Sequence, residues 1–223
     1  MEKVYIITGE DEWLTNIVIK KLSNTYSVTL IKVKGDSFNI YKMFKIIILL
    51  GIIGFIKILL IQLKRKKYKI TQIEKKELKK FLKKINNNKI FLVNLPFKIK
   101  GEFKNIYNCH PSMLPNYKGL LIIQRSIYDK LFNNKNCKIG VTIHKINKDF
   151  DNGQIVWNKE IKLNFKKKYN FKKIYKKFYL NFYYGIDKIL SKKKLSYLKI
   201  KEDLSLKKSI SFLEMIMLKL RLL

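Results

Sequence analysis

The amino-terminal segment constrains the fold of this chain most strongly, because an apolar strand, a helix and a second apolar strand follow one another there. Val4 to Thr8 is apolar or β-branched and leads into Gly9, a pattern that predicts a buried strand followed by a turn. Leu14 to Leu22 predicts the helix, and Val28 to Val33 predicts the second strand. Successive β-α-β units form parallel sheets that helices cover on both faces. The segment therefore predicts an α/β fold with a doubly wound, mostly parallel sheet and flanking helices.

The turn after the first predicted strand argues against a nucleotide-phosphate site. It consists of Gly9, Glu10, Asp11 and Glu12, and it lacks a glycine-rich phosphate cradle. Three carboxylates would repel a phosphate at the amino terminus of the following helix. We therefore expect no phosphate group to bind at this turn.

Composition allows one sizeable domain but says little about partners. The chain has 223 residues, of which 47% are hydrophobic, and this is enough for a core. Its formal net charge of +33 would ordinarily indicate nucleic acid or an anionic membrane surface as a partner. The only arginines are Arg65, Arg125 and Arg221, whereas phosphate-binding surfaces favour the arginine fork. The excess of lysine, asparagine and isoleucine indicates a nucleotide bias in the gene, so the charge is weak evidence for an RNA partner.

The cysteines and the amino terminus indicate a reducing compartment. Cys109 and Cys137 are the only cysteines, and with two histidines in the chain they show no metal-ligand spacing, so we expect no metal site. The first residues lack the basic, apolar and cleavage regions of an export signal, because Glu2 comes early and Val4 starts an alternating pattern. We therefore expect a cytoplasmic protein.

Ile46 to Leu63 is a nearly continuous apolar run, and a basic segment from Lys64 to Lys67 follows it. Its length approaches that of a membrane span, but Lys57 lies inside it and both flanking regions fit one soluble domain. Two alternatives stay open. One is a buried or amphipathic helix inserted between strands, and the other is a helix in the membrane interface that would give peripheral membrane contact. We expect a helix attached to the soluble domain.

The rest of the chain alternates between predicted strands and predicted helices. Apolar positions at helical spacing predict a charged helix over Glu74 to Lys84 and a longer helix over Phe171 to Ile189 with a lysine face. Ile90 to Val93 predicts a buried strand, and Phe103 to Tyr107 is rich in strand-forming residues. Gly119 to Ile127 is apolar and predicts a helix on the core side of the domain.

The motif Asn-Cys-His-Pro-Ser-Met-Leu-Pro, residues 108–115, follows the second of these strand segments. Asn108 and His110 are two residues apart on an extended backbone, so their side chains project to the same face. The two prolines of the motif stiffen the backbone between them, because proline restricts the residue before it to extended geometry. A carboxamide donor and an imidazole are thus held side by side. Cys109 projects to the opposite face, which argues against the alternative that it is a nucleophile.

The motif, with Tyr117 to Gly119 behind it, resembles the signature of the 10-formyltetrahydrofolate-dependent formyltransferases, which include methionyl-tRNA formyltransferase and glycinamide ribonucleotide transformylase. A second block lies downstream, where Gly140 to His144 resembles a strand of the family and Asp151 to Ile155 resembles its Asp-x-Gly-x-Ile loop. The resemblance is dense from about Phe91 to Lys162. It implies a formyltransferase catalytic domain whose cosubstrate is 10-formyltetrahydrofolate, with no metal.

Three residues would carry the chemistry that the resemblance implies. Formyl transfer needs an oxyanion stabiliser, a proton shuttle between two nitrogens, and a charge that tunes the shuttle. Asn108 suits the first role because its amide N–H can donate to the oxyanion, and His110 suits the second because imidazole titrates near neutrality. Asp151 would raise the pKa of His110 and orient its ring or a water. Asp149 is a neighbouring carboxylate, but only Asp151 lies in the Asp-x-Gly-x-Ile pattern, so it takes the third role.

The resemblance also implies where the folate binds. In the family, the loop that leaves the preceding strand forms a wall of the pterin pocket, and Leu95 and Phe97 occupy that place here. An ordinary turn is the alternative for these two residues. Family members also hold the pterin against the loop before the catalytic aspartate. The corresponding residues here are Lys148, Asp149 and Phe150.

The formyl acceptor is less constrained than the reaction. Gln124 and Arg125 resemble the methionyl-tRNA members, so methionyl-tRNA is slightly favoured over an amino-sugar nucleotide. Glycinamide ribonucleotide is less favoured, because its phosphate would meet the acidic first turn. A folate-binding or RNA-binding module without activity is the non-catalytic alternative, and the oligomeric state stays open.

We expect a catalytic domain over residues 1–195 with a hydrophobic helical insert over residues 40–67, and a short tail over residues 196–223. The tail predicts one more short helix, and whether it packs or extends stays open. It is too short for the separate carboxyl-terminal β-barrel that the resemblance associates with full-length methionyl-tRNA formyltransferases.

Overall fold

The structure, a computed structural model, describes most of the predicted domain. The described residues are 2–9, 12–34, 68–95, 97, 99, 101, 103–119, 121–133, 136–147, 153–165, 170–191 and 210–222. They form one sheet whose strands are β1 (Lys3–Thr8), β2 (Ser27–Lys34), β3 (Lys69–Glu74), β4 (Lys89–Val93), β5 (Ile106–His110), β6 (Gly140–Lys145) and β7 (Ile155–Glu160). The strand order is β3-β2-β1-β4-β5-β6-β7, parallel from β3 to β5 and antiparallel from β5 to β7. The predicted doubly wound, mostly parallel α/β sheet is confirmed.

Helices flank the sheet on both faces. Within the described ranges they are α1 (Glu12–Leu22), α2 (Leu78–Lys84), α3 (Ile122–Tyr128), α4 (Phe171–Leu190) and α5 (Phe212–Leu222). A 3-10 turn over Lys75–Glu77 leads into α2, and a π-type turn over Asp129–Asn133 extends α3. The helices predicted after the first strand and from Phe171 onward are confirmed as α1 and α4.

Alternation along the strands produces a hydrophobic core on each face of the sheet. The first core joins the inward residues of α1, α4 and α5 to strand residues that include Cys109 and Ile143. The second core packs Leu78 and Leu82 of α2 against strand residues that include Ile106. Because neighbouring residues of a strand point to opposite faces, the central strands contribute to both cores.

Helix α4 lies directly on β6 and β7. Its buried residues repeat every three or four positions, and Asn170 caps its amino terminus by accepting a hydrogen bond from Lys173 N at 2.9 Å. At Gly185 a Cβ atom would lie 2.4 Å from the Trp157 ring and 2.7 Å from Ile143 Cδ1. The missing side chain at this position therefore allows the helix to approach the sheet closely.

The structure corrects the helix predicted over Glu74 to Lys84. The residues up to Glu74 form β3, and α2 begins only at Leu78, after the 3-10 turn. β3 lies at the edge of the sheet beside β2. Its residues are exposed or only half-buried, so its sequence lacks the apolar run that identifies a central strand.

Two other predicted boundaries are also wrong. The strand segment expected at Phe103 to Tyr107 is displaced toward the carboxyl terminus, so Asn108 and His110 lie inside β5 rather than after it. The helix expected over Gly119 to Ile127 begins later, with the first residue of α3. Leu121, just before α3, has a φ of 55°, in the left-handed region that a right-handed helix cannot include.

The carboxyl-terminal residues pack against the domain rather than extend from it. Ile210, Met215, Leu218 and Leu222 are buried in the first core. α5 also contacts α3. The short helix predicted in the tail is therefore present and shares a core with α1 and α4, while the boundary at residue 195 stays a prediction.

The apolar run from Ile46 to Leu63, predicted to be an attached helix, lies outside the described residues together with the predicted insert over residues 40–67. The described chain resumes at Tyr68, directly before β3. Among the helices of the described ranges, none combines the length and the hydropathy needed to cross a bilayer.

Candidate active site

Polar side chains line one face of β5 and β6, where the sheet changes from parallel to antiparallel pairing. Asn108 lies directly opposite His144 in the strand register, and His110 follows two residues later in β5. These three side chains share one face, as the alternation of a strand predicts, whereas Cys109 and Ile143 enter the first core on the other. The two imidazole rings lie edge to face with their centroids 6.3 Å apart. The pair of strands therefore separates a polar site from a core.

A main-chain carbonyl sets the orientation of the His110 ring. His110 Nε2 lies 2.7 Å from the carbonyl oxygen of Tyr117, which also accepts a hydrogen bond from Ser112 Oγ at 2.6 Å. A carbonyl oxygen can only accept, so Nε2 carries the hydrogen and Nδ1 carries the lone pair of the neutral ring. Because His110 and Ser112 are buried, water does not compete for these bonds. The geometry thus makes Nδ1 the proton-accepting nitrogen.

His144 is a site residue to which sequence analysis assigns no role. Its Nδ1 lies 2.9 Å from the carbonyl oxygen of Lys145, so Nδ1 carries the hydrogen and Nε2 of the neutral ring accepts. That Nε2 accepts a hydrogen bond from Asn108 Nδ2 at 3.1 Å. The bond fixes which end of the Asn108 carboxamide is nitrogen and which is oxygen. The sequence signal that could have identified His144 is a histidine near the end of an apolar strand segment. That His144 shares a face with Asn108 follows from the strand register.

Thr142 ties the loop of the motif to β6. Its hydroxyl donates to the Ser112 carbonyl oxygen at 2.7 Å and accepts from Leu114 N at 3.1 Å. Ser112 N also donates to the His110 carbonyl oxygen at 2.9 Å, which closes a tight turn after the strand. Thr142 and Ser112 are both fully buried, so these bonds are shielded from water. The stiff backbone that the prolines predict is therefore also held by side-chain hydrogen bonds.

The loop between β6 and β7 returns to the site at Gly153. Lys145 N donates to the Gln154 carbonyl oxygen at 2.9 Å, which closes the base of the loop. A Cβ atom on Gly153 would lie 1.6 Å from the Lys145 carbonyl oxygen and 3.2 Å from His144 Nδ1, so a side chain does not fit. This contact explains the glycine of the Asp-x-Gly-x-Ile pattern. Asp151, two residues earlier, lies outside the described residues.

Leu95 and Phe97 lie on the same face of the sheet as Asn108. Both are partly buried and pack against the second core, which also contains Ile106. Ile106 and Asn108 are two residues apart in β5 and share a face. The structure therefore brings these two predicted folate contacts to the side on which the polar site lies. The other predicted folate contacts, which lie outside the described residues, are Lys148, Asp149 and Phe150.

The two cysteines are buried free thiols, and Cys109 lies on the opposite face of β5, in the first core. Cys109 is 3% exposed, and its burial raises the pKa of the thiol, so a nucleophilic thiolate is disfavoured. Cys137 Sγ lies 2.7 Å from the Tyr117 hydroxyl. Within the described ranges, no three histidine, cysteine, aspartate or glutamate side chains lie close enough together to hold a metal ion.

The first turn of the chain lies beside the loop that follows β4. Gly9 N donates to the Asn94 carbonyl oxygen at 3.3 Å. Glu10 and Asp11, which carry part of the predicted negative charge, lie outside the described residues. The expected repulsion of a phosphate at this turn therefore stays a prediction.

The chain is similar to formyl transferases in sequence. Residues 1–179 match the family described as formyl transferase. The methionyl-tRNA formyltransferase of Thermotoga maritima is 37% identical over 98 residues, and that of Thermotoga neapolitana is 35% identical over 98 residues. Each match covers 41% of this chain and 29% of the relative, so under a third of the length of these curated relatives is matched.

Solved structures with formyltransferase names share the architecture. Phosphoribosylglycinamide formyltransferase from Bacillus halodurans matches with a TM-score of 0.56 and 18% identity over 86% of this chain and 97% of that one. A 4-N formyltransferase from Francisella tularensis matches with a TM-score of 0.54 and 20% identity over 99% and 87%. A sugar N-formyltransferase from a Shewanella species matches with a TM-score of 0.57 and 16% identity over 99% and 87%. These likenesses concern the fold.

Proposed function

We infer the function from one premise, that the chain belongs to the formyl transferase family. We propose that it transfers the formyl group of 10-formyltetrahydrofolate to a primary amine. The observation that carries the proposal is the pair Asn108 and His110, which share one face of β5 and are each oriented by a hydrogen bond. A carboxamide and an imidazole held in this way supply an oxyanion donor and a proton shuttle next to each other.

Asn108 is the proposed oxyanion donor. In the reaction the amine attacks the formyl carbon, and the formyl oxygen becomes an oxyanion. The carboxamide nitrogen carries two hydrogens, of which one is donated to His144 Nε2 and anchors the group. We assign the other to the oxyanion, where a comparable donor stabilises the transition state by about 3 to 4 kcal/mol. His144 is then a positioning residue for Asn108.

His110 is the proposed proton shuttle. Its Nδ1 takes a proton from the ammonium of the tetrahedral intermediate and returns it to N10 of the folate as the bond between the formyl carbon and N10 breaks. The products are a formamide and tetrahydrofolate, and the enzyme ends the cycle with the proton inventory that it had at the start. The carbonyl of Tyr117 holds Nε2 during both transfers, because that nitrogen donates at 2.7 Å.

Asp151 is proposed as the carboxylate that raises the pKa of His110 and orients its ring or a water. Support comes from Gly153, whose close approach to Lys145 brings the Asp-x-Gly-x-Ile loop back beside His144. The loop therefore ends next to the strand pair that carries the other two proposed catalytic residues.

Leu95 and Phe97 are proposed as an apolar wall of the pterin pocket, because they pack on the face of the sheet that carries Asn108. An apolar wall buries the pterin ring while polar groups orient the formyl group. The remaining proposed folate contacts are Lys148, Asp149 and Phe150.

Methionyl-tRNA is the first proposed acceptor, supported by the 35–37% identity to the Thermotoga enzymes. The resemblance of Gln124 and Arg125 to the methionyl-tRNA members is weaker support for this acceptor than the sequence alone indicates. Gln124 Nε2 donates to the Tyr175 hydroxyl, and Arg125 forms ion pairs with Asp129 and Glu214, so both have structural partners. A cytoplasmic location, where folate and tRNA meet, is part of the proposal.

An amino-sugar nucleotide is the second candidate acceptor. Formyltransferases whose titles name a sugar or a sugar nucleotide match the fold over 89–99% of this chain, whereas those named for phosphoribosylglycinamide match over 85–86%. Glycinamide ribonucleotide stays less favoured, because its phosphate would meet the predicted charge of Glu10 and Asp11.

To test the proposal, the purified protein is incubated with 10-formyltetrahydrofolate and one candidate acceptor at physiological salt. The acceptors are methionyl-tRNA, glycinamide ribonucleotide and a panel of amino-sugar nucleotides. A lysine-rich chain binds tRNA at low salt whatever its function, so the transfer rate is measured rather than binding. We expect transfer to methionyl-tRNA and none to glycinamide ribonucleotide. Transfer to amino sugars alone would identify the second candidate, and release of formate without an acceptor would indicate a hydrolase. Binding of folate without turnover would identify a non-catalytic module.

A further inference from the structure

We propose that Tyr117 is a positioning residue for His110, and that a chain of hydrogen bonds and ion pairs connects it to the carboxyl-terminal helix α5. The inference rests on the proposed function, because His110 is the residue proposed to move the proton. The Tyr117 carbonyl oxygen accepts from His110 Nε2 at 2.7 Å. The position of this carbonyl depends on where the Tyr117 side chain is anchored, since the two belong to one short, buried segment.

The Tyr117 hydroxyl is anchored by two buried partners. It donates to Asp129 Oδ2 at 3.0 Å and lies 2.7 Å from Cys137 Sγ. Burial raises the pKa of the Tyr117 hydroxyl, and the contacts with Cys137 and Asp129 add to this effect. The hydroxyl therefore keeps its hydrogen and donates it to the carboxylate, which makes a strong, charge-assisted bond.

Asp129 is in turn held by cationic and amide donors from the same helical segment. Its Oδ1 accepts from Arg125 Nη2 at 3.1 Å and from Asn133 Nδ2 at 2.8 Å. Arg125 Nη1 then pairs with Glu214 Oε1 at 3.0 Å, so one guanidinium joins two carboxylates. Glu214 lies in the first turn of α5, and its Oε2 accepts at 2.8 Å from N of Ser211, the residue directly before the helix. A continuous series of contacts thus runs from the first turn of α5 to the imidazole of the site.

The members of this series are only partly accessible to water, which strengthens their coupling. The side chains of Arg125, Asp129 and Glu214 are 19%, 11% and 25% exposed. Within this series, the contact with a proposed catalytic residue is made by the Tyr117 carbonyl, so the series acts on the reaction through the orientation of His110. The apolar wall at Leu95 belongs to the second core, so its folate contact does not depend on this series.

The main test compares Tyr117→Phe with Tyr26→Phe. Both changes remove a tyrosine hydroxyl that donates to an aspartate, since Tyr26 donates to Asp187 Oδ1 at 2.9 Å, between the start of β2 and α4. For Tyr117→Phe we expect kcat to fall about tenfold while KM for the folate stays within about twofold, because misplacing a catalytic group slows chemistry without weakening substrate binding. Tyr26→Phe should leave both constants unchanged.

A second readout follows the histidine tautomers directly and needs no turnover. The chain has two histidines, so nitrogen-15 spectra of the imidazoles contain two sets of signals. In the unmodified protein we expect His110 to carry its hydrogen on Nε2 and His144 to carry its hydrogen on Nδ1. In Tyr117→Phe the nitrogen shifts of His110 should move toward an average of both tautomers, while those of His144 stay in place. A general loss of structure would move both rings.

A milder variant covers the case in which Tyr117→Phe does not fold. Glu214→Gln removes the charge that holds Arg125, and Glu74→Gln removes the charge of the exposed Lys34–Glu74 pair, at 3.3 Å, as a matched control. We expect Glu214→Gln to lower kcat about twofold to fivefold and to shift the His110 tautomer signals, with no effect of Glu74→Gln.

The inference is overturned if Tyr117→Phe folds and its kcat and His110 signals match those of the unmodified protein. If Tyr117→Phe does not fold, the same result for Glu214→Gln overturns it. If the unmodified protein transfers no formyl group but the tautomer signals still respond, the proposed function is wrong and the positioning role of Tyr117 stands.

Discussion

The two faces of the β5–β6 pair differ completely in character, although alternate residues of the same strands build both. On one face Cys109 and Ile143 are packed into the first core beneath α4. On the other face Asn108, His110 and His144 form a hydrogen-bonded polar group. This difference shows that the core-packed face of a strand pair can support the polar site on its opposite face. When the residues on one face of a strand are packed in a core, the residues on the opposite face are also held in fixed positions.

The polar face is as closely packed as the apolar one. His110 and His144 are 4% and 2% exposed, yet both have hydrogen-bond partners that fit their tautomers. Removing one partner from a buried polar group destabilises the protein by about 1 to 3 kcal/mol, because the other partner stays unsatisfied. Both faces therefore contribute to stability, but only the polar face is expected to supply side chains that take part directly in turnover.

The largest expected effect comes from removing the proposed shuttle or its carboxylate. His110→Ala and Asp151→Ala should each reduce the formyl transfer rate by about 10² to 10⁴, because the first variant loses the proton shuttle and the second loses the carboxylate that raises its pKa and orients its ring or a water. Circular dichroism should show that the variants remain folded. Turnover at the unmodified rate in either variant would remove that residue from the mechanism.

The next effect separates the two faces at neighbouring positions. Asn108→Ala should lower kcat by about 10² to 10³ through loss of the oxyanion donor. Cys109→Ala, one residue further along β5, should leave kcat unchanged and lower the free energy of unfolding by about 1 kcal/mol, as small losses from a core do. Urea unfolding and initial rates on both variants decide the comparison. Equal losses of kcat would show that the faces are not separable.

Two glycines allow the same comparison with an added methyl group. Gly153→Ala and Gly185→Ala both overpack, so each should lower the free energy of unfolding by about 1 to 3 kcal/mol. Only Gly153→Ala should also lower kcat, by about tenfold, because its Cβ would displace the loop beside His144. Rates are expressed per folded molecule rather than per total protein. A matching loss of kcat in Gly185→Ala would mean that the core face also controls the chemistry.

The smallest expected effect is a pH dependence at α5, the helix that closes the apolar face. A hydrogen bond from the Ser211 backbone, with the charge of Arg125, holds the pKa of Glu214 below its usual range. A lowered folded-state pKa stabilises the protein above the unfolded pKa, and this contribution is lost as the pH falls through the folded pKa. Glu214→Gln should therefore lower the free energy of unfolding at pH 7 by less than about 1 kcal/mol. The two urea curves should converge in acid, and a difference that grows in acid would contradict this assignment.

Local patterns were sufficient for the elements with strong periodicity. The buried strand at Val4, the helix at Leu14 and the long helix at Phe171 were all predictable, because core burial imposes a period of two or of three to four on their apolar residues. β3 was not predictable, since an exposed edge strand needs no such pattern. The start of α3 depended on the left-handed backbone of Leu121, which its aliphatic side chain does not indicate.

The candidate site divides in the same way. The spacing of Asn108 and His110 was enough to place both side chains on one face, whatever strand they belonged to. The partner of each was not predictable. His144 meets Asn108 because β6 pairs with β5 in one register, and Tyr117 presents its carbonyl because the motif loop folds back on the strand.

The sequence by itself determined the α/β class, the two-residue alternation of the strands and the identity of the motif, because each depends on residues that are close together in the chain. Only the tertiary structure decided the tautomers of the two histidines, the requirement for glycine at position 153 and the series of hydrogen bonds and ion pairs from Tyr117 to Glu214. These depend on strand register and on helix packing between distant segments, and a hydrogen bond forms only where the fold brings a donor within reach of an acceptor.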